Sequence, residues 1–150
     1  MTTPLWLGDI EVGNTYRSDS YTVTAEEIID FARRYDPQPF HLGEATAAGT
    51  VFDGLASSGW HTAAITMRLL VTGGLPIAHG IIGLGIELAW PTPTRPGDIL
   101  HVELVITDIR ISRSIPDRGI VTAEYDTRNE HGEIRQHTTA KIMVFARPHL

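Results

Sequence analysis

Ser58-Gly59-Trp60-His61-Thr62-Ala63-Ala64-Ile65-Thr66-Met67-Arg68-Leu69-Leu70-Val71 reads as one helix, and Arg68 is its only charged residue. Apolar or small side chains occupy most sides of the helical wheel, and a helix of that kind belongs in a core. Gly73-Gly74 and Pro76 end it. Beyond it the periodicity changes from helical to alternating. Residues 83–90, 99–112, 119–129 and 133–146 read as strands, most clearly His101 to Ile111. Turns separate them at Pro91 to Asp98, Pro116-Asp117-Arg118-Gly119 and Asn129-Glu130-His131-Gly132.

Before the apolar helix, Thr15 to Val23 reads as a first strand. Thr24-Ala25-Glu26-Glu27 is a capping box, and Ile28, Phe31, Ala32 and Tyr35 follow at helical spacing. A helix over Ala25 to Tyr35 is expected, stopped by Pro37. Residues 43–49 allow one further helical turn. Early helices and a late run of strands give an α+β layout. One buried helix wrapped by an antiparallel sheet of about five strands fits ordinary sheet sizes, and residues 1–150 read as a single domain.

A chain of 150 residues buries a real core without disulfides, and it has no cysteine. Thiolate zinc sites and a cysteine nucleophile are thereby excluded. The formal net charge of -6 argues against nucleic-acid binding. No basic stretch followed by an apolar run opens the chain, and no apolar run is long enough for a bilayer. A cytoplasmic protein without membrane partners is expected. Lys141 is the only lysine; Arg33, Arg34, Arg68, Arg95 and Arg113 are candidates for anion contacts.

Tyr35-Asp36-Pro37-Gln38-Pro39-Phe40-His41 sets a carboxylate and an imidazole five positions apart on a path stiffened by two prolines. The residues alone allow two readings: an acid/base pair, or a helix end followed by an ordinary loop histidine. Ser58-Gly59-Trp60, at the start of the apolar helix, offers unpaired N–H groups at a positive dipole end. A glycine there admits a ligand oxygen, or simply packs tightly. His61 reads as a satisfied or solvent-tipped histidine of the first turn. None of the seven histidines has metal-ligand spacing, and Trp90-Pro91-Thr92-Pro93 reads as strand end and turn.

Phe31 to Leu42 resembles the hydratase motif of the MaoC-like dehydratases, relatives of the (R)-specific enoyl-CoA hydratases. Ala56 to Thr62 resembles the start of that family's central helix, Arg95-Pro96-Gly97-Asp98 its strand connection, and Asn129 with Gly132-Glu133 the turn before its last strand. The resemblance runs from about Val12 to Pro148. It implies a single hotdog fold, a long central helix wrapped by a curved antiparallel sheet, and a homodimer. It also implies hydration of a 2-enoyl thioester or dehydration of its 3-hydroxyacyl partner, in fatty-acid metabolism.

In that scheme Asp36 and His41 are catalytic, holding and deprotonating water, and the Gly59 N–H holds the thioester oxygen. Ser58, Trp60 and Phe40 are expected at the substrate. No metal and no cofactor is implied; the acyl-CoA thioester is itself the substrate. Gln38 stands where the (R)-hydratases usually carry asparagine, and Met67 where they often carry serine. Asp36 would need a buried or apolar site to raise its pKa toward useful basicity. An acyl-CoA thioesterase and a non-catalytic acyl-thioester-binding subunit of a hotdog heterodimer are the alternatives. The absence of Asp or Glu between Gly59 and Thr72 disfavours the thioesterase.

Overall fold

The fold is that of a computed structural model describing residues 2–149. The central helix, α4, spans Gly59–Leu69 and runs on into a wider turn at Leu70–Gly74. It lies against one face of an antiparallel six-stranded sheet. The strands are β1 (Thr15–Arg17), β2 (Tyr21–Thr22), β3 (Ile82–Ala89), β4 (Ile99–Ile111), β5 (Arg118–Arg128) and β6 (Ile134–Phe145). Their order is β1-β4-β5-β6-β3, with β2 also on β4. Helices α1 (Ala25–Tyr35), α2 (Pro39–Leu42) and α3 (Glu44–Ala47) lie between β2 and α4 in the chain.

The capping box forms as expected: the Glu27 N–H donates to Thr24 Oγ1 and the Thr24 N–H to Glu27 Oε1. The count of about five strands becomes six because the expected first strand is broken. At Ser18 the chain keeps one backbone bond to Val102 O, but the Val102 N–H turns to Ser18 Oγ at 2.8 Å. A side chain thus takes over half of the ladder, and two short strands, β1 and β2, flank residues 18–20.

Alternation in β4, β5 and β6 sends Val102, Leu104, Ile106, Val121, Ala123, Ala140, Ile142 and Val144 inward against Ile65, Leu69 and Leu70. Ile28 and Ala32 of α1 are fully buried beside this cluster. Toward the start of α4 the same inner face becomes polar. Thr62, Thr66, Thr127, Gln136 and Thr138 are all buried there. Thr62 bonds Thr94 at 2.8 Å and Thr66 bonds Thr127, so these hydroxyls satisfy one another rather than paying for burial alone.

The expectation that α4 is buried nearly all round is corrected. Trp60, Ala64, Met67, Arg68 and Val71 form an exposed stripe at helical spacing. The edge strand β3 is also uncovered, with Ile82, Leu84 and Ile86 exposed. One chain supplies a sheet for only one side of the helix. Among the described residues no helix is long and apolar enough to cross a membrane.

Candidate active site

The C-terminal end of α1, the turn into α2 and the N-terminal end of α4 meet at one cavity of about 450 Å³. Asp36 caps α1, with φ -152° and ψ 66°, and its N–H donates to Ala32 O. Pro37 stops the helix there, since a proline disfavours helical conformation in the residue before it. Pro39 then opens α2 at its first position, where no N–H is needed. One short turn later His41 faces back toward Asp36. His41 Nε2 lies 3.3 Å from Asp36 Oδ2, and both side chains are largely withdrawn from solvent.

The residues just before α4 hold this pair. His41 Nδ1 lies 2.6 Å from Ala56 O. A carbonyl only accepts, so Nδ1 carries the proton and Nε2 faces Asp36 with its lone pair when the ring is neutral. Ser58 caps α4 through a bond accepted from the Trp60 N–H and is also a hydrogen-bond partner of Asp36. Gln38 Nε2 donates to Asp36 Oδ1 at 2.7 Å.

Burial pushes the Asp36 carboxyl up. The bonds from Ser58 and Gln38 and the neighbouring His41 outweigh it, and its pKa falls below the ordinary 3.8. The condition for a basic Asp36, a raised pKa, is therefore not met. A carboxylate with two donors and a potential cation beside it stays ionised.

Gly59 is required by a close approach. A Cβ there would lie 2.6 Å from Trp90 Cε2, well inside van der Waals contact. The indole is fixed, since Trp90 Nε1 donates to Gln136 Oε1 at 2.9 Å and Trp60 meets the ring edge-on at 5.4 Å. Among the described residues the Gly59 N–H has no hydrogen-bond partner. The glycine thus packs tightly and also leaves a donor at the positive end of α4.

Of the six residues expected at the site, Asp36, His41, Gly59 and Trp60 line the cavity. Ser58 is completely buried behind it. Phe40 sits edge-on against His41 and Phe52, at 4.5 and 5.0 Å, and supports the imidazole from behind. Met67 is 40% exposed and lies outside the lining residues.

The sequence reading did not assign Gln38, Trp90, Thr94 or Arg135 to the site, yet all four line the cavity. Trp90 and Arg135 reach it through strand register, which no local pattern discloses. Arg135 is tied by Nε to Asp98 Oδ2 at 2.9 Å and by Nη1 to Thr92 Oγ1 at 2.9 Å. Arg95, one of the arginines considered for anion contacts, instead donates to the Phe52 and Gly54 carbonyls and shapes the loop under His41.

The sequence matches the MaoC-like domain family over residues 9–130. A MaoC-like dehydratase from Rhodospirillum rubrum is 58% identical, with a TM-score of 0.95 over 97% of this chain and 99% of that one. An R-hydratase from Pseudomonas aeruginosa is 25% identical, with a TM-score of 0.75 over 96% of this chain and 88% of that chain. An (R)-hydratase from A. caviae is 29% identical, with a TM-score of 0.73 over 93% and 98% of the two chains. The uncharacterised Bacillus subtilis protein YdeM is 28% identical over 83% of this chain and 87% of its own length. With α4 against an antiparallel sheet and the Asp36/His41 turn at its head, the chain belongs to the MaoC-like family of hotdog-fold dehydratases and hydratases.

Proposed function

We propose that this protein is a cytoplasmic hydro-lyase that adds water to a 2-enoyl thioester, or removes it from the 3-hydroxyacyl form, with coenzyme A as carrier. The observation that carries the reading is the facing pair of acceptors. With Nδ1 protonated toward Ala56 O, neutral His41 presents a bare Nε2 to the Asp36 carboxylate 3.3 Å away. Two acceptors so close repel unless a donor satisfies both. A water molecule has the two O–H groups needed.

The chemistry then balances. The water oxygen bonds C3 as His41 Nε2 takes its proton. The C2–C3 π electrons move through the conjugated carbonyl onto the thioester oxygen, where the Gly59 N–H receives the charge. The imidazolium next gives its proton to C2, the enolate collapses, and a 3-hydroxyacyl thioester leaves. Asp36 stays ionised throughout and stabilises the imidazolium. No cofactor takes part in this scheme; the coenzyme A thioester is the substrate.

Among the described residues the cavity wall includes no Leu, Ile, Val or Met; beside its aromatic and proline residues stand Gln38, Ser57, Thr62, Thr92, Thr94 and Arg135. A long aliphatic chain gains little from such a wall, so a short acyl group is favoured. The test follows loss of conjugated enoyl absorbance across trans-2-enoyl-CoAs of increasing length, with free thiol monitored in parallel. The expected result is loss of absorbance without thiol release, fastest for the shortest chains. Thiol release would move the assignment to a thioesterase, and well-folded protein inert on every substrate would favour a binding subunit.

The same reading carries a homodimer. Support comes from the exposed stripe of α4 and the uncovered apolar edge of β3, surfaces that a second copy would bury. Light scattering should give a dimer, and Ile86→Lys on β3 should shift it toward monomer. A wild-type monomer at micromolar concentration would refute the pairing.

A further inference from the structure

His61 has no task in the scheme above, yet it is only 6% exposed. Its ring stacks on Phe31 at 4.8 Å, with 16° between the planes. Nδ1 lies 2.9 Å from Ser57 Oγ. Burial lowers its pKa below the usual 6.5 despite the nearby Glu27, so near neutral pH the ring is uncharged and works as one donor and one acceptor.

Ser57 belongs to a run of four residues that serve the cavity. Ala56 O orients His41, Ser58 bonds Asp36, and Gly59 leaves its N–H open. Ser57 lines the cavity and is held by its N–H donating to Thr94 O at 2.9 Å. Its hydroxyl is the member of the run without a role. The hydroxyl also donates to Ser58 O at 3.2 Å, a carbonyl that already accepts from the His61 and Thr62 N–H groups at 3.0 and 3.1 Å. That bond is the longest of the three at one acceptor, and a ligand acceptor in the cavity can compete for the proton.

Counting donors and acceptors leaves capacity over in either tautomer of His61. If Nδ1 is bare, Ser57 donates to it and keeps both oxygen lone pairs. If Nδ1 is protonated, Ser57 accepts from it, and its own proton, directed at the crowded Ser58 carbonyl, can turn to a ligand acceptor. Thr62 and Thr94, which line the same cavity, are bonded to each other instead.

We propose that Ser57 binds the acyl thioester through its hydroxyl and that His61 is the positioning residue that aims that hydroxyl into the cavity. The proposal rests on the hydration reading and extends it to a further contact on the same substrate. A hydrogen bond made equally in the ground and transition states changes KM and leaves kcat alone. Simple loss of folded protein does the reverse, lowering apparent kcat at constant KM.

The test compares Ser57→Ala, His61→Phe, His61→Asn and the Ser57→Ala/His61→Phe double variant in the hydration assay on the best enoyl-CoA, alongside thermal melts. Phenylalanine keeps the stacking on Phe31 and removes the nitrogen; asparagine restores a polar atom near Nδ1. The expected result is a rise in KM of about fivefold to tenfold in Ser57→Ala and in His61→Phe, the size of one hydrogen bond, with kcat within about twofold. The double variant should be no worse than Ser57→Ala, and His61→Asn should recover most of the loss. Unchanged KM in folded Ser57→Ala, or independent multiplication of the two effects in the double variant, overturns the proposal. Wild type without turnover on any thioester removes the hydration reading and this one with it. An active wild type with unchanged variant KM overturns this one alone.

Discussion

His41→Ala is expected to lower kcat for hydration by about 10²–10⁴-fold, the usual worth of a positioned acid/base group. Alanine removes the group that, in the proposed scheme, takes a proton from water and returns it to C2, while the Gly59 N–H and the cavity wall remain. KM should therefore change little. Asp36→Asn should fall in the same range for a different reason. The asparagine amide can donate directly to His41 Nε2, closing the gap in which water has to sit. Because the two act as a unit, the double variant should be about as slow as the worse single one.

The pH profile adds a second readout. The folded-state pKa of Asp36 is depressed. Its contribution to stability is then fully present above the unfolded value of 3.8 and is lost as pH falls through the lower folded value. An acid limb of kcat/KM above about pH 5 would thus belong to a group other than Asp36. Steady-state rates from pH 5 to 9 decide the matter. Substantial hydration by well-folded His41→Ala would sink the assignment.

Gly59→Ala is expected to damage both folding and rate. The new methyl would meet Trp90 Cε2, Cδ2 and Cζ2 at 2.6, 2.7 and 2.8 Å. That ring cannot retreat without breaking its bond to Gln136, which is buried and in turn donates to Thr138. Overpacking of this kind costs about 1–3 kcal/mol, readable as an earlier urea midpoint. Displacing the first turn of α4 also moves the Gly59 N–H proposed to hold the thioester oxygen, and losing one such donor costs about 10²–10³ in kcat. Trp90→Leu removes the obstructing ring. Gly59→Ala/Trp90→Leu should consequently be no less stable than Trp90→Leu alone and should regain at least about tenfold of the lost kcat. A Gly59→Ala protein as stable and active as wild type would refute both the packing and the donor argument.

Much of this was legible in the chain itself, for local reasons. Thr24 and Glu27 cap each other within one turn, and Pro37 stops what they start, so α1 ends where the sequence says it does. Alternation in β4, β5 and β6 is enforced by a core on one face, and each of these strands falls within one residue of its expected bounds. What escaped depends on partners distant in sequence. Ser18 breaks a strand by answering Val102, 84 residues away. Trp90 becomes a wall because Gln136, 46 residues on, holds its indole. The depressed pKa of Asp36 follows from Ser58 and Gln38 both reaching it, and only Gln38 is close along the chain. His61 and Ser57 are one helical turn apart, so their contact could have been inferred, but not that the serine also borders the cavity.

Asp36 caps the carboxyl end of α1, and Gly59 opens the amino end of α4 on the same cavity. Each helix has 11 residues, long enough for a developed dipole. The cavity is therefore a gap between two electrodes, with the negative pole and a carboxylate on one side and the positive pole and an open N–H on the other. A conjugated thioester held across it would have its π electrons drawn toward Gly59 and away from C3 before any proton moves, leaving that carbon electron-poor toward the water at Asp36 and His41. The field is fixed in the backbone, so it persists through every turnover and reverses for neither direction of the reaction.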